Sequence, residues 1–322
     1  MVEAFAIVFS PTFRAVLQIL VIVLAAGLLV RRKIVTEDQI KAISALTINI
    51  FLPCLIFSNI LKNFAIDRIS IWPVLPLGTA VMVLFGLAIG TAVFARDRKQ
   101  KKDLIALSAI QNGYYLILPI GSILFADRFD DFKLYCFLML PGYSPLMWGI
   151  GKYLMCVKPG EKIKLREFIS PPLIAVISAT VIVLVRGKTF GSSMVLDSAE
   201  MIGSAAIPLG TFILGAMLGG IRFNLKPYIV DALKVISVKL TIVPVCVIAV
   251  LYFSGLGRDW PLMASFFILQ AASPPATSLL ILVKHYGGNE QRAEAIALIC
   301  YLCCIFTIPF WLAVWNTIVS HG

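Results

Sequence analysis

Long apolar runs alternate with short polar or basic stretches along almost the whole chain. The runs cover residues 13–30, 40–61, 72–95, 104–125, 133–156, 171–186, 198–220, 229–253, 262–284 and 293–316. A helix needs about 20 apolar residues to cross the roughly 30 Å hydrocarbon core of a bilayer, and most of these runs are long enough. The pattern therefore predicts an all-α polytopic membrane protein, a single domain over residues 1–322 with ten transmembrane helices.

The ninth run contains residues that interrupt a helix near the middle of the membrane. Pro274 and Pro275 have no amide proton, so the carbonyl oxygens of Gln270 and Ala271 lose their helical partners. In hydrocarbon, unpaired backbone groups are tolerated only where they face protein or a water-filled cavity. We therefore expect two half-helices, the second capped by Ser273 and beginning with the two prolines.

The fourth run has a similar interruption around Gln111, Asn112 and Gly113. Gly113 permits unwinding, and Pro119 removes the partner of the Tyr115 carbonyl. The two side-chain amides lie at a depth where polar groups are costly, which favours a functional role. The alternative is a kinked helix whose amides only join neighbouring helices.

Composition and charge agree with a membrane location. The chain is 60% hydrophobic, has a mean hydropathy of +0.94 and a formal net charge of +11. Most Lys and Arg residues follow the odd-numbered runs, in clusters such as 31–33, 96–102 and 158–166. The positive-inside rule then predicts that these loops are cytoplasmic, with both termini outside the plasma (cell inner) membrane. The excess charge is explained by topology and anionic lipid, so nucleic acid is not an expected partner. The start of the chain, with Glu3 and no basic segment, does not resemble a cleaved signal peptide.

Three short motifs recur in the same order in the two halves of the chain. The pairs are 51–53 with 206–208, 111–112 with 273–274, and 143–148 with 307–311. They predict two five-helix repeats, residues 10–157 and 168–316, and an odd number of spans inverts the second repeat relative to the first. Chance similarity among proline-rich helices is the alternative.

Inverted repeats with broken fourth and ninth helices bring half-helix ends to one central point. Their positive amino ends and negative carboxyl ends would suit a small anion. The expected substrate-binding residues of these two breaks are Gln111, Asn112, Gly113, Tyr114, Gln270, Ser273, Pro274 and Pro275. Lys239 is a further candidate, since it lies roughly 15 Å along the eighth helix. Extension of its side chain to the cytoplasmic surface is the alternative.

Other motifs do not indicate enzyme chemistry. Cys300, Cys303 and Cys304 lie on an apolar helix without a second ligand pair, which favours a packing role over a metal site. The chain has two histidines, and no carboxylate pair lies within a run, so we expect neither a catalytic site nor a cofactor. The spacings of residues 86–90 and 215–219 are GxxxG motifs, typical of close helix packing.

The sequence also resembles a known family. Residues Leu269–Ala276, followed by Lys284–Gly288, are similar to the carboxy-terminal signature of the auxin efflux carrier family, which includes plant PIN exporters and many prokaryotic carriers within a bile acid, auxin and sodium symporter-like superfamily. Asn112-Gly113 with Leu118–Ile120 resembles the family's fourth-span motif, and Phe51–Pro53 its second. The resemblance implies a scaffold of spans one, two, six and seven, a transport core of the other six, and substrate beside the crossing of spans four and nine.

The sequence departs from the plant exporters at two places. Gln111 stands where they have a proline, and their long central segment is reduced to Val157–Ser170. We therefore expect a prokaryotic-type carrier without phosphorylation sites in that segment.

The predicted function is secondary transport of a small organic anion, such as a carboxylate or auxin-like acid, by alternating access. A membrane sensor or scaffold that binds an anion without moving it is the alternative. The coupling ion is left open between proton and sodium. No Asp or Glu lies deep in a run, which argues against proton coupling through a buried carboxylate, and backbone carbonyls and amides could bind sodium. The expected partners are the substrate anion and the bilayer, and any homodimer would form through the scaffold helices.

Overall fold

The computed structural model describes residues 2–65, 71–97, 100–156, 168–221 and 225–321. Within these ranges the chain is helical and contains no β-strand. The first half comprises α1 (Val2–Arg31), α2 (Glu37–Asn63), α3 (Val74–Val93), α4 (Lys102–Ala109), α5 (Ile117–Leu124), α6 (Phe129–Leu138), α7 (Leu140–Pro145) and α8 (Lys152–Cys156). The second half comprises α9 (Pro171–Arg186), α10 (Met194–Gly219), α11 (Lys226–Phe253), α12 (Leu256–Asp259), α13 (Pro261–Ala272), α14 (Thr277–Tyr286) and α15 (Glu290–His321).

The described helices have the length and composition of a multi-pass membrane protein. Six of them, α1, α2, α3, α10, α11 and α15, are long and apolar enough to cross a bilayer, and α9 and α13 are shorter apolar helices. The predicted fourth and ninth runs are each divided into two helices, whereas in the fifth run a π-helical turn, Leu146–Gly151, joins α7 to α8. The all-α, multi-pass class is therefore confirmed, whereas the count of ten spans in inverted repeats stays a prediction.

The helix breaks lie where the sequence predicts them. In the fourth run, α4 ends at Ala109 and α5 begins at Ile117. In the ninth run, α13 ends at Ala272 and α14 begins at Thr277. Both interruptions are real gaps in helical structure rather than kinks.

The predicted role of Ser273 as a helix cap is wrong. The residue at the N-cap of α14 is Ala276, which has no side-chain cap, and both prolines precede the helix. The Ser273 hydroxyl instead donates to the Gln270 carbonyl oxygen at 2.8 Å. The reason is that the proline segment is extended, so Ser273 closes the end of α13 rather than the start of α14.

Glycines allow close helix contacts at both predicted GxxxG motifs. A Cβ at Gly219 would collide with the backbone of Gly27, so α1 and α10 approach through these glycines. A Cβ at Gly86 would lie 2.9 Å from the Ala109 Cα, which brings α3 against the end of α4. The packing interpretation of these motifs is therefore confirmed.

Some basic residues used to predict orientation lie outside the described residues. They include Arg98, Lys99, Arg222 and the whole segment from Val157 to Glu167. The orientation in the membrane accordingly stays a prediction.

Candidate functional site

The two helix breaks lie against each other and exchange backbone hydrogen bonds. The Asn112 amide donates to the Pro274 carbonyl oxygen at 2.8 Å, and the Ala276 amide donates to the Ile110 carbonyl oxygen at 3.0 Å. The residues between them, at positions 111 and 275, form an isolated antiparallel bridge. Each break thus supplies partners for backbone groups that the other leaves outside a helix.

Side chains from other segments satisfy two further carbonyls of the fourth-run break. The Gln270 Nε2 donates to the Gly113 carbonyl oxygen at 2.8 Å. The Tyr143 hydroxyl donates to the Gln111 carbonyl oxygen at 2.6 Å. The unwound backbone is therefore held in place from both α13 and α7.

Asn112 joins three parts of the site through its side chain. Its Nδ2 donates to the Thr277 Oγ1 at 3.0 Å and to the Tyr301 hydroxyl at 2.5 Å. Its Oδ1 accepts from the Leu116 amide at 3.4 Å. The Tyr301 hydroxyl also lies 3.1 Å from the Pro275 carbonyl oxygen. Asn112 therefore connects α5, α14 and α15 at one point.

Thr277 and Tyr301 belong to this site but are absent from the sequence-predicted set. Both are buried, and their hydroxyl oxygens lie 2.9 Å apart. The available sequence signal was weak: each is a hydroxyl-bearing residue within an apolar run. Tyr301 in particular lies in the last helix, far along the chain from either break.

The most unusual feature of the site is a group of buried amide atoms without hydrogen-bond partners. Gln111 is completely buried, and neither its Nε2 nor its Oε1 has a partner among the described residues. The Oε1 of Gln270, also completely buried, is unpartnered as well. An unsatisfied buried polar group costs about 1–3 kcal/mol. Such a cost at paired helix breaks is typical of a position that binds a ligand.

The other predicted residues of the breaks have structural contacts. Gly113 lies so close to Met139 that a Cβ there would be 2.5 Å from the Met139 methyl carbon. Tyr114 is buried, and its ring contacts that of Tyr115 edge-on, with centroids 4.8 Å apart. The Ser273 hydroxyl already donates a hydrogen bond to the Gln270 carbonyl oxygen of its own segment. These residues shape the site, whereas Gln111 and Gln270 carry unsatisfied amide atoms, and the buried Tyr115 hydroxyl of the fourth-run break also lacks a partner among the described residues.

Lys239 lies beside the half-helices but is not hydrogen-bonded to either break. It belongs to a π-helical turn of α11, Ser237–Ile242, which packs against α4 and α13. The residue is completely buried, so its side chain does not reach the surface, and its Nζ has no hydrogen-bond partner among the described residues. π-Helical turns occur frequently at functional sites.

No group of three or more potential metal ligands occurs within the described ranges. Cys300 and Cys304 are buried in the apolar core, and Cys303 is partly buried. Their surroundings fit the packing role expected for them.

Comparison with known proteins places the chain in a family. The profile described as membrane transport protein matches residues 11–312. Protein PIN-LIKES 1 of Arabidopsis thaliana is 28% identical over 174 residues, 51% of this chain and 37% of that protein. Protein PIN-LIKES 3 of the same plant is 28% identical over 165 residues, which cover 48% of this chain and 42% of that protein. An uncharacterized transporter of Methanothermobacter thermautotrophicus is 23% identical over 318 residues, 95% of this chain and 99% of that protein.

The alignments to the Arabidopsis proteins thus span less than half of those relatives, whereas the Methanothermobacter protein aligns along nearly its whole length. The family profile likewise extends over most of the chain. This protein therefore belongs to the membrane transport protein family, the auxin efflux carrier family that its ninth-run motif resembles.

Proposed function

We propose that this protein is a secondary transporter of a small organic anion, such as a carboxylate or auxin-like acid, and that it works by alternating access. The observation that carries the proposal is the unsatisfied, fully buried carboxamide of Gln111, whose backbone pairs with Pro275 of the other break. A carboxylate at the two breaks would accept from the Gln111 Nε2. Its binding would recover part of the cost of burying that Nε2 donor, whereas the Gln270 Oε1 is an acceptor and would pair only with a donor group of the ligand.

The helix ends beside the breaks support an anion rather than a neutral ligand. Both α5 and α14 begin directly after a break, and neither has a side-chain cap at its first turn. The amino end of a helix carries a partial positive charge and free amide donors. Two such ends at one contact would attract a carboxylate from either side.

Lys239, when protonated, would add a positive charge to this environment. A buried ammonium without a partner is costly, and an anion bound nearby reduces that cost through space. We therefore include Lys239 in the proposed site as a charge beside the half-helices, without a direct contact to the breaks.

The proposed architecture is ten spans in two inverted repeats, with a scaffold and a moving core. Helix packing supports the scaffold in part, because α1 packs on α10, and α2 packs on both α9 and α10, while α1 also packs on α15 of the proposed core. Lys62 of α2 also forms ion pairs with Asp197 at 2.6 Å and Glu200 at 2.7 Å, both in α10. Two paired breaks at corresponding positions of the halves support the inversion. We further propose a plasma-membrane location with both termini outside, and any homodimer through the scaffold.

Counterflow in liposomes tests the function directly. Purified protein is reconstituted into liposomes preloaded with an unlabelled organic acid, and uptake of the same labelled acid is measured over a panel of mono- and dicarboxylates. The series is repeated with and without sodium and with a pH gradient. We expect saturable counterflow for at least one acid, and its loss in Gln111→Ala but not in the control Asn49→Ala, whose amide is exposed on α2. Saturable binding without counterflow would contradict transport and favour a sensor.

A further inference from the structure

An apolar cavity of about 290 Å³ lies between α1, α10 and α15. Most of its length is distant from the helix breaks. Its walls include Leu20, Leu218, Leu298 and Ile305. Among the described lining residues, Arg31 is the charged one and Tyr301 the polar one. The cavity is therefore built for a hydrocarbon group rather than for a small hydrophilic solute.

The cavity opens sideways between α1 and α15. Leu24, Leu28 and Leu302 line it and are also 62%, 49% and 49% exposed at the protein surface. In a membrane-spanning bundle, exposed leucines of this kind contact the hydrocarbon of the bilayer. A lipid chain can therefore enter from the side without passing through water.

The cavity has the depth of one bilayer leaflet. Its lining residues on α1 extend from Val16 to Arg31, which is roughly 22 Å at the rise of an α-helix. Half of a hydrocarbon core is about 15 Å, and half of the bilayer with its headgroup regions is about 20–22 Å. The cavity thus reaches from the membrane surface at Arg31 to about the midplane, the span of one acyl chain with its ester region.

The end of the cavity at the membrane surface, next to Arg31, is basic. Arg31, Arg32 and Lys33 are consecutive and exposed at the end of α1. The Arg31 Nε donates to the Gly219 carbonyl oxygen at 3.0 Å, which holds the guanidinium at the mouth of the cavity. We propose that an anionic phospholipid binds here, with its phosphate at Arg31–Lys33 and one acyl chain inside the cavity.

The inner end of the cavity connects this lipid to the candidate transport site. Leu116 and Tyr301 line it, and the Tyr301 hydroxyl is hydrogen-bonded to the Asn112 side chain. The acyl chain therefore contacts a residue that holds the breaks together. This connection rests on the proposed function and makes transport dependent on anionic lipid, whereas lipid binding itself does not depend on transport.

Photolabelling tests lipid binding without any transport assay. The full chain is placed in nanodiscs containing either phosphatidylglycerol or phosphatidylcholine with a diazirine near the end of one acyl chain, and labelled peptides are identified by mass spectrometry. We expect the phosphatidylglycerol probe to label α1 and α15 more strongly than the phosphatidylcholine probe does. The difference should be about five-fold for each Lys or Arg that contacts the phosphate. Leu20→Trp, which fills the cavity, should remove this labelling. Val21→Trp is the matched control, because Val21 is the next residue, 67% exposed and not part of the lining.

A second pair of variants tests whether lipid binding requires the positive charge of Arg31. Arg31→Gln should lower phosphatidylglycerol labelling about five-fold, whereas Lys41→Gln, at an exposed lysine outside the lining, should not change it. Equal labelling by both lipids, or labelling unchanged in Leu20→Trp, would overturn the proposal. If a transported acid displaces the label, the cavity binds substrate and the proposal is wrong. If labelling is lost when a dimer is cross-linked, the cavity is a contact between two copies of the chain and the proposal is likewise wrong. If labelling follows the proposal but counterflow is absent, the lipid site stands and the transport function fails.

Discussion

The Asn112 amide lies 2.8 Å from the Pro274 carbonyl oxygen, and this hydrogen bond joins the two helix breaks directly. Pro274 cannot donate a backbone hydrogen bond, and in an apolar environment its unwound segment needs partners from elsewhere in the protein. The fourth-run break supplies them. The two breaks therefore stabilise each other, and a change that repairs one of them should disturb the other.

Replacing both prolines tests this dependence. In Pro274→Ala/Pro275→Ala the new amides can donate to the carbonyls of Gln270 and Ala271, which favours a continuous helix by about 3 kcal/mol per proline on the soluble-helix scale. The hydrogen bonds lost between the breaks are worth about 1 kcal/mol each. We expect a melting temperature in detergent at least as high as that of the parent, together with a large loss of substrate affinity. Affinity that stays unchanged in this variant would remove the breaks from the binding site.

Asn112→Ala should abolish or strongly weaken transport while the protein still inserts and purifies. The side chain holds Thr277 and Tyr301, but interhelical hydrogen bonds in membranes average only about 0.6 kcal/mol, so unfolding is not expected. Counterflow per folded molecule and melting temperature are measured on the same samples. Asn49→Ala is the control, since that amide bonds only within its own helix at an exposed position. If Asn112 only joins helices, melting temperature will fall while counterflow per folded molecule is kept.

Local sequence features predicted the positions of both breaks, because the effect of proline on a helix depends only on its immediate neighbours. The same reasoning failed for Ser273, which closes α13 instead of capping α14. A serine before two prolines can satisfy either a following amide or a preceding carbonyl. The choice depends on the extended pairing of this segment with a break far away in the chain.

The partners of the breaks were harder to predict. Thr277 and Tyr301 contact Asn112 only after three distant segments pack together, and no local period marks either residue. The sequence predicts a role for Gln111 through its side-chain amide and for Gln270 through its freed backbone carbonyl. Their lack of hydrogen-bond partners is a property of the packed structure and has no sequence signal.

Gly113→Ala should destabilise the fourth-run break by steric conflict. A Cβ at this position would lie 2.5 Å from the Met139 methyl carbon and 3.6 Å from the Tyr143 ring. Because the Met139 methyl group is the end of a flexible side chain and can shift, overpacking here should cost about 1 kcal/mol, the low end of its usual range, and we expect a slightly lower melting temperature and weaker binding. Gly113→Ala/Met139→Ala removes the clashing methyl group and should recover part of the loss. No recovery, with Met139→Ala alone well folded, would show that the contact with Met139 is not the cause of the loss.

The ion pair between Arg292 and Asp103 should be important for stability at the entrance to α4. The Arg292 Nε and Nη2 donate to the two carboxylate oxygens at 2.8 and 2.6 Å, and the Asp103 side chain is only 7% exposed. Arg292→Met would leave a buried carboxylate unpaired, which costs about 3–5 kcal/mol. We expect a marked fall in melting temperature, recovered in part by Arg292→Met/Asp103→Leu. Lys41→Met, which breaks a pair between exposed residues, is the control and should change little. Equal effects of the two single variants would contradict a role for burial.

The orientation of the chain can be tested with introduced cysteines. The distribution of Lys and Arg predicts that residues 158–167 are cytoplasmic and that the segment after Trp315 faces outside. In intact cells, Lys164→Cys should therefore be protected from an impermeant maleimide and become labelled after permeabilisation, whereas Ser320→Cys should react in both conditions. The parent chain gives the background, because its seven cysteines are free and fall within the apolar runs or at their ends. Labelling of Lys164→Cys in intact cells together with protection of Ser320→Cys would reverse the orientation. The basic end of α1 and the mouth of its cavity would then face the outer leaflet.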